Sequence, residues 1–342
     1  AQTETSESGR VTIEYHPFPV PFIPFGTVTV TPSMLLNGKG GNIDSPEFFI
    51  ADPPESSLLF VTGKGNDIVE LWQFPFRNNE QPPLKRSSLP NGLAIDQPQR
   101  LLLIVDAENR IVVLYALPSL RLIKIIWGVT LGGGETNLDI LTRPDGRKIA
   151  YVTESHRVRG FDIETGALVS SFTPDVESIE EILADDYHQV LYIPEENGGA
   201  SKKHPGGAIL AYTSDGTPLR RSGPDRLGQG VFSGDGEGIT LYPCLTEEKQ
   251  DTGRGFIIAV DQSDKDNGFE FFDRESWQHL GTVKLANVSG TDGVDVSALP
   301  LPGYPSGILA ATHRDTSTAL VRFDDILSAT HLSCSSGSAP RS

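Results

Sequence analysis

Hydrophobic residues along the chain come in short runs, and most of these runs arrive in pairs separated by a few polar residues. The first run of a pair is rich in β-branched and aliphatic residues. The second alternates between apolar and polar positions, which is typical of half-buried β-strands. Six such pairs start 41 to 65 residues apart, at Leu58 to Phe74, Leu101 to Leu117, Ile149 to Ile163, Val190 to Tyr212, Gly255 to Arg274 and Gly307 to Asp324.

A further short strand precedes each pair, and a turn often rich in Pro, Asp and Gly joins it to the pair. Units of this length and strand content are typical of β-propeller blades. We therefore predict an all-β, six-bladed β-propeller that forms a single domain over residues 1–328. A strand around Val11 to Tyr15 is expected to complete the last blade, because an open ring would expose two sheet edges. Residues 329–342 are predicted to form a mobile, low-complexity tail.

The charge of the chain restricts its partners. Lys and Arg number 28 and Asp and Glu 45, which gives a net charge of −17. Such an excess disfavours nucleic acid and anionic membrane surfaces, because both require a basic face. No apolar run approaches the ~20 residues of a membrane-spanning helix. We expect a monomer that binds neither nucleic acid nor membrane.

Cys244 and Cys334 are the two cysteines of the chain, and they permit one disulfide. If they pair, the closed loop of 91 residues would stabilise the fold by ~4–5 kcal/mol in the chain-entropy model. Two unpaired, buried thiols are the alternative. The first residues resemble no signal segment, so either a signal peptide has been removed or the chain never had one. We predict a secreted protein with a removed signal peptide, for which Asn287-Val288-Ser289 is a candidate glycosylation acceptor.

Acidic residues concentrate around the strand that opens each repeat, and in a propeller these strands line the central channel. Carboxylates from different blades would therefore face each other. Their charges repel, and burial removes the water that stabilises them, unless a counter-charge neutralises them. A hard dication such as calcium, which takes six to eight oxygen ligands, would do so, whereas no His/Cys cluster suits zinc. The alternative is a set of solvated loop acids. The set comprises Asp44, Glu47, Asp52, Glu135, Asp139, Glu177, Glu180, Glu181, Glu195, Glu196, Asp235, Glu237, Asp261, Asp292 and Asp295.

Several of these acids lie in motifs that resemble those of the β-propeller phytases, the calcium-dependent family that removes phosphates from inositol hexakisphosphate. The resemblance runs from about Ile50 to Ile326 and is strongest after Ser178. Its motifs are Ala51-Asp52-Pro53, the Thr62-Gly63-Lys64 turn, the stretch from Ser178 to Asp186, the strand from Leu191 to Glu196, the stretch from Asp235 to Thr240, and the stretch from Thr291 to Val296.

The resemblance implies a phosphomonoesterase that uses several calcium ions to offset phosphate charge and to activate a water, with phytate as the type substrate. The partner would be an anionic small molecule or carbohydrate. Glu180 and Glu237 would act at the catalytic centre, where Lys64 and Arg110 would grip phosphate oxygens. By the same resemblance the calcium ligands would be Asp52, Glu180, Glu196, Asp235, Glu237, Gln262 and Asp292.

The phosphate-binding half of the family pattern is matched less well than the metal-binding half. Ala51 replaces the first Asp of a paired-Asp motif, and Asn91 to Asp96 lacks the family's usual Asp and Arg. The family has a lysine in the third blade where this chain has the region Glu154 to His156. It has a neighbouring tyrosine where this chain has Asn137. The acidic loop of the last blade is His313-Arg314-Asp315. A different anionic substrate on the same propeller is therefore an open alternative.

Two other function classes remain. A calcium-propeller lyase or lactonase acting on an anionic sugar could use a His side chain as the base and Arg side chains to bind the negative charge of the sugar. The candidate groups are His156 with Arg157 and Arg159, and His313 with Arg314. A non-catalytic binding propeller is the other alternative. Basic residues beside the acids would favour the phosphatase.

Overall fold

The described part of the chain folds into six small sheets arranged in a ring. The computed structural model describes residues 21–85, 88–131, 135–196, 202–220, 227–262 and 267–334. Each sheet has four antiparallel strands, and one of them has an additional parallel strand. Contacts between successive inner strands run around the ring and close between the sixth sheet and the first. The prediction of an all-β, six-bladed propeller is confirmed.

The first three blades are continuous in sequence. Blade one contains β3 (Ile43–Phe49), β4 (Leu58–Gly63), β5 (Ile68–Gln73) and β6 (Glu80–Leu84). Blade two contains β7 (Pro90–Asp96), β8 (Leu101–Asp106), β9 (Ile111–Ala116) and β10 (Arg121–Trp127). Blade three contains β11 (Leu138–Thr142), β12 (Lys148–Glu154), β13 (Arg157–Asp162) and β14 (Leu168–Phe172).

The other three blades follow the same order, but the last two receive strands from the N-terminal part of the chain. Blade four contains β15 (Leu183–Asp185), β16 (Val190–Pro194), β17 (Ile209–Tyr212) and β18 (Pro218–Leu219). Blade five contains β19 (Asp235–Leu245), β20 (Asp251–Gln262), β21 (Gly268–Asp273), β22 (His279–Leu285) and the parallel β1 (Gly26–Val30). Blade six contains β23 (Val294–Ser297), β24 (Ile308–His313), β25 (Ser317–Arg322) and β2 (Met34–Asn37).

The ring is closed by β2, which supplies the outer strand of the last blade. Met34 pairs with Leu320 and Asn37 with Ser317. Closure by an N-terminal strand is therefore as predicted, but the strand is Met34–Asn37. Val11 to Tyr15, where the sequence suggested it, lie outside the described residues. The short MLLN run offered too few alternating positions to stand out as a strand.

The described core consists of six hydrophobic clusters, and one cluster lies between each pair of neighbouring blades. In one of them Val105 and Val112 of blade two pack against Ala150 and Val152 of blade three. Fully burying an aliphatic or aromatic side chain contributes roughly 1.5–3 kcal/mol. The flat faces of the sheets thus hold the ring together.

A C-terminal helix, α1 (Phe323–Thr330), packs beneath blades five and six. Phe323 stacks on Tyr242 with ring centroids 3.8 Å apart. Leu332 is buried, and Cys334 forms a disulfide with Cys244 in β19. The helix crosses the boundary at residue 328 that the sequence suggested, so the ordered domain reaches at least Cys334. No helix within the described ranges is long and apolar enough to cross a membrane.

Removal of the disulfide should lower the free energy of unfolding by about 2–5 kcal/mol, because the bridge restricts a long loop in the unfolded chain. Urea unfolding of a Cys334→Ser variant measures this loss. Reducing agent should destabilise the native protein by the same amount and leave the variant unchanged. Equal unfolding midpoints for the two proteins would contradict the expectation.

Candidate metal centre

Acidic side chains converge at one face of the ring, which we call the mouth. Every inner strand begins at this face, because each blade repeats the same up-and-down strand order. The turns between the second and third strands return to it. Residues separated widely in the sequence therefore meet there. The mouth cluster comprises Asp44, Lys64, Glu135, Glu180, Glu237 and Asp292.

Three carboxylates form the centre of the mouth cluster. Asp44, Glu135 and Glu180 each offer an oxygen, and the three oxygens lie within 4.8 Å of one another. Lys64 Nζ lies 2.5 Å from Asp44 Oδ2 and 3.1 Å from Glu135 Oε2. Asn91 Nδ2 also donates to Glu135 Oε2, at 2.8 Å. One ammonium group thus faces two of the three acids, while the third is left to other partners.

Glu237 reaches the same place from blade five. Its side chain is 95% buried, with 5% of its surface exposed. Its carboxyl is hydrogen-bonded to that of Glu180, while Oε2 has no hydrogen-bond partner among the described residues. Burial raises the pKa of both carboxyls, and the charge of Glu180 raises that of Glu237 further. Two carboxylates at hydrogen-bond distance require a shared proton or a cation.

Blade six adds a second carboxyl pair beside the first. Gln262 Nε2 donates a hydrogen bond to Asp292 Oδ1, and the Asp292 carboxyl is hydrogen-bonded to that of Asp315. Burial and the neighbouring charge of Asp44 raise the pKa of Asp292. Gln262 and Asp292 thus lie next to each other, and Asp315, for which the motifs indicate no ligand role, joins them.

Glu196 and Asp235 lie at the edge of the mouth cluster. The carbonyl of Glu196 accepts the Gly236 N–H at 3.1 Å, which holds the two segments side by side. The charge of Glu196 raises the pKa of Asp235 and contributes to that of Glu237, after burial in each case. Both residues are half-buried.

Asp52 and Arg110 are not brought into the mouth cluster. Asp52 is exposed in the connection after β3, whereas Asp44 stands at the start of that strand. At about 3.3 Å per residue, the strand separates the two by roughly 25 Å. The motif thus points to Asp52, which follows the end of β3, whereas the acid that reaches the mouth is Asp44 at the start of β3. Arg110 does lie at the mouth face, in the β8–β9 turn, but its side chain is exposed to solvent.

Four acids form a second group deeper in the channel, around a cavity of about 220 Å³. Two of them accept backbone N–H groups of a neighbouring blade. Asp295 Oδ2 accepts Phe48 N–H at 2.9 Å, and Asp139 Oδ2 accepts Ala184 N–H at 2.6 Å. This channel group therefore fastens adjacent inner strands to each other. It consists of Glu47, Asp139, Glu181 and Asp295.

The remaining acids of the sequence prediction serve local structure. Asp261 accepts the N–H groups of Ser233 and Gly234. Glu195 pairs with the buried His204 at 2.9 Å, between Glu195 Oε2 and His204 Nδ1. The sequence pattern predicted the convergence correctly, but position along the strand decides which acids reach the mouth.

The departures from the family pattern have visible consequences. Asn137 is buried, and its Nδ2 donates to Glu181 Oε2 at 2.7 Å. Gly92 makes room for it, since a Cβ there would lie 1.9 Å from Asn137 Oδ1. Glu154 is buried and accepts the Leu131 N–H at 2.6 Å. The described contacts of Asn137 and Glu154 are thus with the protein itself.

Two arginines of the groups that could serve a lyase are engaged in structure. Arg159 Nη1 donates to the carbonyls of Gly128 and Val129 and its guanidinium lies over the Phe161 ring. Arg314 Nε donates to Ser289 Oγ at 3.0 Å. These contacts hold the arginines against the protein and reduce their capacity to bind a substrate.

Comparison with known proteins supports the fold. The structure is similar to hydrazine synthase from Kuenenia stuttgartiensis, with a TM-score of 0.54 and 13% sequence identity, over 94% of this chain and 83% of that chain. At this identity the likeness concerns the propeller fold alone. No protein-family model and no curated protein sequence matches the chain.

Without a cation, the protein should be more stable at about pH 5.5 than at pH 8. Burial raises the pKa of Asp139 to about 7 and that of Asp295 to about 6. An acid with a raised folded-state pKa stabilises the fold at low pH and loses this contribution as the pH rises through that value. Thermal unfolding in EDTA should therefore show a melting temperature several degrees lower at pH 8. A melting temperature that rises from pH 5.5 to 8 would contradict this.

Proposed function

We propose that the mouth cluster binds calcium and that the protein hydrolyses phosphomonoesters there. The observation that carries the proposal is the convergence of Asp44, Glu135 and Glu180, two of which contact one ammonium group, beside a buried Glu237 oxygen without a described partner. Acids at such distances repel each other, and the burial of Asp44 adds a desolvation cost. A bound dication would offset both.

The donor set fits a hard cation. The candidate ligand atoms are carboxylate and amide oxygens, and no His or Cys belongs to the acidic group. Calcium accepts six to eight such oxygens in flexible geometry, whereas zinc prefers nitrogen and sulfur. Asp44, Glu135, Glu180 and Glu237 would hold one ion. Gln262, Asp292 and Asp315 offer oxygens for a second, with Glu196 and Asp235 at the edge.

The residues of the mouth have distinct tasks in this proposal. Calcium, when bound, would offset phosphate charge and make a water a better nucleophile. Glu237 Oε2, to which no described residue donates, is the oxygen that this residue would offer to the ion. Lys64 donates two of its three N–H groups to Asp44 and Glu135, which leaves one for a phosphate oxygen. Arg110 stands at the same face as a second, more exposed cation.

The disulfide favours an oxidising compartment, where such bonds persist. It supports the proposal of a secreted protein. The test of the function is release of inorganic phosphate from phosphomonoesters with calcium and with EDTA. Absence of release from every ester tested would leave a non-catalytic binding propeller, and absorbance from an unsaturated uronate would indicate a lyase.

Calcium should stabilise the fold, because it would bind the assembled mouth and not the unfolded chain. At a free concentration 100 times its dissociation constant, one bound ion adds about 2.7 kcal/mol to the free energy of unfolding. The measurement is thermal unfolding in EDTA and then in excess calcium. Sodium chloride at equal ionic strength is the control, since a protein of charge −17 also responds to screening. An unchanged melting temperature would rule out the site.

A further inference from the structure

Lys64 is an unusually enclosed cation for a surface turn. Only 10% of its side chain is exposed, and its Nζ contacts Asp44, whose side chain is 8% exposed, as well as Glu135. Asp44 and Glu135 are two of the three acids whose oxygens lie within 4.8 Å of one another. The lysine therefore occupies the same carboxylates that a cation at the mouth would use.

The backbone holds this lysine in place. Lys64 begins the short 3₁₀ turn between β4 and β5, and its N–H donates to the Asn42 carbonyl at 3.1 Å. The turn packs backbone to backbone against the loop that precedes β3, since a Cβ on Gly63 would lie 2.5 Å from the Gly40 Cα. Glu70 fixes that loop in turn by accepting the Gly40 N–H at 2.6 Å. The ammonium group is thus built into the site.

The net charge of the ion position shows how Lys64 would affect cation binding. With a proton shared between Glu180 and Glu237, the four acids of the ion position and one ammonium carry a net charge of −2, which a single divalent ion neutralises. Without the lysine the same acids would carry −3, which would favour a more highly charged or a second ion. Opposite and like charges a few ångströms apart interact by several kcal/mol at a protein surface. The lysine therefore sets both the strength and the charge preference of the site.

We propose that Lys64 is a resident counter-charge that shares Asp44 and Glu135 with the cation bound there and limits that position to one moderately bound divalent ion. This inference rests on the proposed calcium site and goes beyond it. It assigns Lys64 a positioning and affinity-setting role, in addition to its remaining N–H toward a phosphate oxygen. Loss of its charge would then strengthen cation binding, whereas a lysine that only grips substrate would leave cation binding unchanged.

The test is isothermal titration of the intact, EDTA-treated protein with calcium. We expect Lys64→Met, which keeps the length of the side chain and removes its charge, to bind calcium at least tenfold more tightly. Lys64→Arg should stay within about threefold of the native protein. Terbium luminescence gives a second readout, since the preference for Tb³⁺ over Ca²⁺ should increase in Lys64→Met.

Lys148→Met is the matched control. Lys148 Nζ lies 2.6 Å from Asp96 Oδ2, and its side chain is 13% exposed, but the pair lies at the face opposite the mouth. Its removal should leave calcium affinity unchanged. Circular dichroism of each variant checks that it is folded, and Lys64→Gln replaces Lys64→Met if that variant is not.

The outcomes separate this inference from the proposed function. If calcium binds the native protein and Lys64→Met binds it equally or more weakly, the counter-charge role is wrong while the calcium site stands. If the native protein binds no calcium, the proposed site fails first. Tighter binding in both Lys64→Met and Lys148→Met would show a general charge effect and would also overturn the inference.

Discussion

Replacement of Glu237 by glutamine should lower calcium affinity about 100-fold and phosphate release at fixed calcium about 10³-fold. Glutamine keeps the size of the side chain and removes a charge that is 95% buried beside Glu180. At an effective dielectric constant near 20, a charge about 4 Å from a cation contributes about 4 kcal/mol per unit charge. Relief of repulsion with Glu180 offsets part of this loss. Calcium titration and steady-state kinetics measure the two effects.

The matched control for this variant is Asp145→Asn. Asp145 is half-exposed in the β11–β12 turn, away from the mouth, and pairs with Arg147 at 2.7 Å. An exposed pair of this kind contributes little, so calcium affinity and activity should change less than twofold. Equal losses in Asp145→Asn and Glu237→Gln would show that the site lies elsewhere. Unfolding midpoints in EDTA should confirm that Glu237→Gln is folded.

Phytate should be a poor substrate, turned over about 10²- to 10⁴-fold less efficiently than expected for a site with a full set of basic contacts. At the mouth, Lys64 is the cation that contacts the described acids, with the exposed Arg110 at the same face. Each missing charge-assisted hydrogen bond costs roughly 1.5–3 kcal/mol. Two missing bonds would cost about 3–6 kcal/mol, which corresponds to the expected loss in rate. A smaller, less charged phosphomonoester should be preferred.

Steady-state kinetics with phytate and with a simple phosphomonoester, at the same free calcium, test this preference. The informative quantity is the ratio of kcat/KM for the two substrates. Phytate binds calcium itself, so free calcium must be buffered in every assay. Efficient calcium-dependent turnover of phytate would refute the prediction and support the plain phytase function.

The sequence predicts the fold well because each blade is a local unit. Strand, turn and strand recur within some twenty residues, so the repeat shows the blades without any long-range information. The closing strand is different. Met34–Asn37 pairs with a segment almost 290 residues later, and its four residues carry no pattern that would identify that partner.

The sequence predicts which type of residue forms the candidate site, but not which of these residues meet there. Glu180, Glu237 and Asp292 were assigned to it from motifs and do reach the mouth. Asp44 and Glu135 were counted among the converging acids, but nothing in their flanking residues indicated that they meet. Whether an acid lies at the start or the end of an inner strand depends on the register of pairing, as Asp52 shows. A motif match alone does not fix that register.

The N-terminal segment that contributes β1 and β2 ties blades five and six to residues placed at the other end of the chain. Ser33 N–H donates to the Leu320 carbonyl, a contact across 287 residues. Contacts of such sequence separation form late and slow folding, because a long loop must close before they form. During synthesis, blades one to four can form while β1 and β2 still lack their partners. We therefore expect native protein to accumulate only after the last blade has left the ribosome, with an open ring as the intermediate most exposed to aggregation.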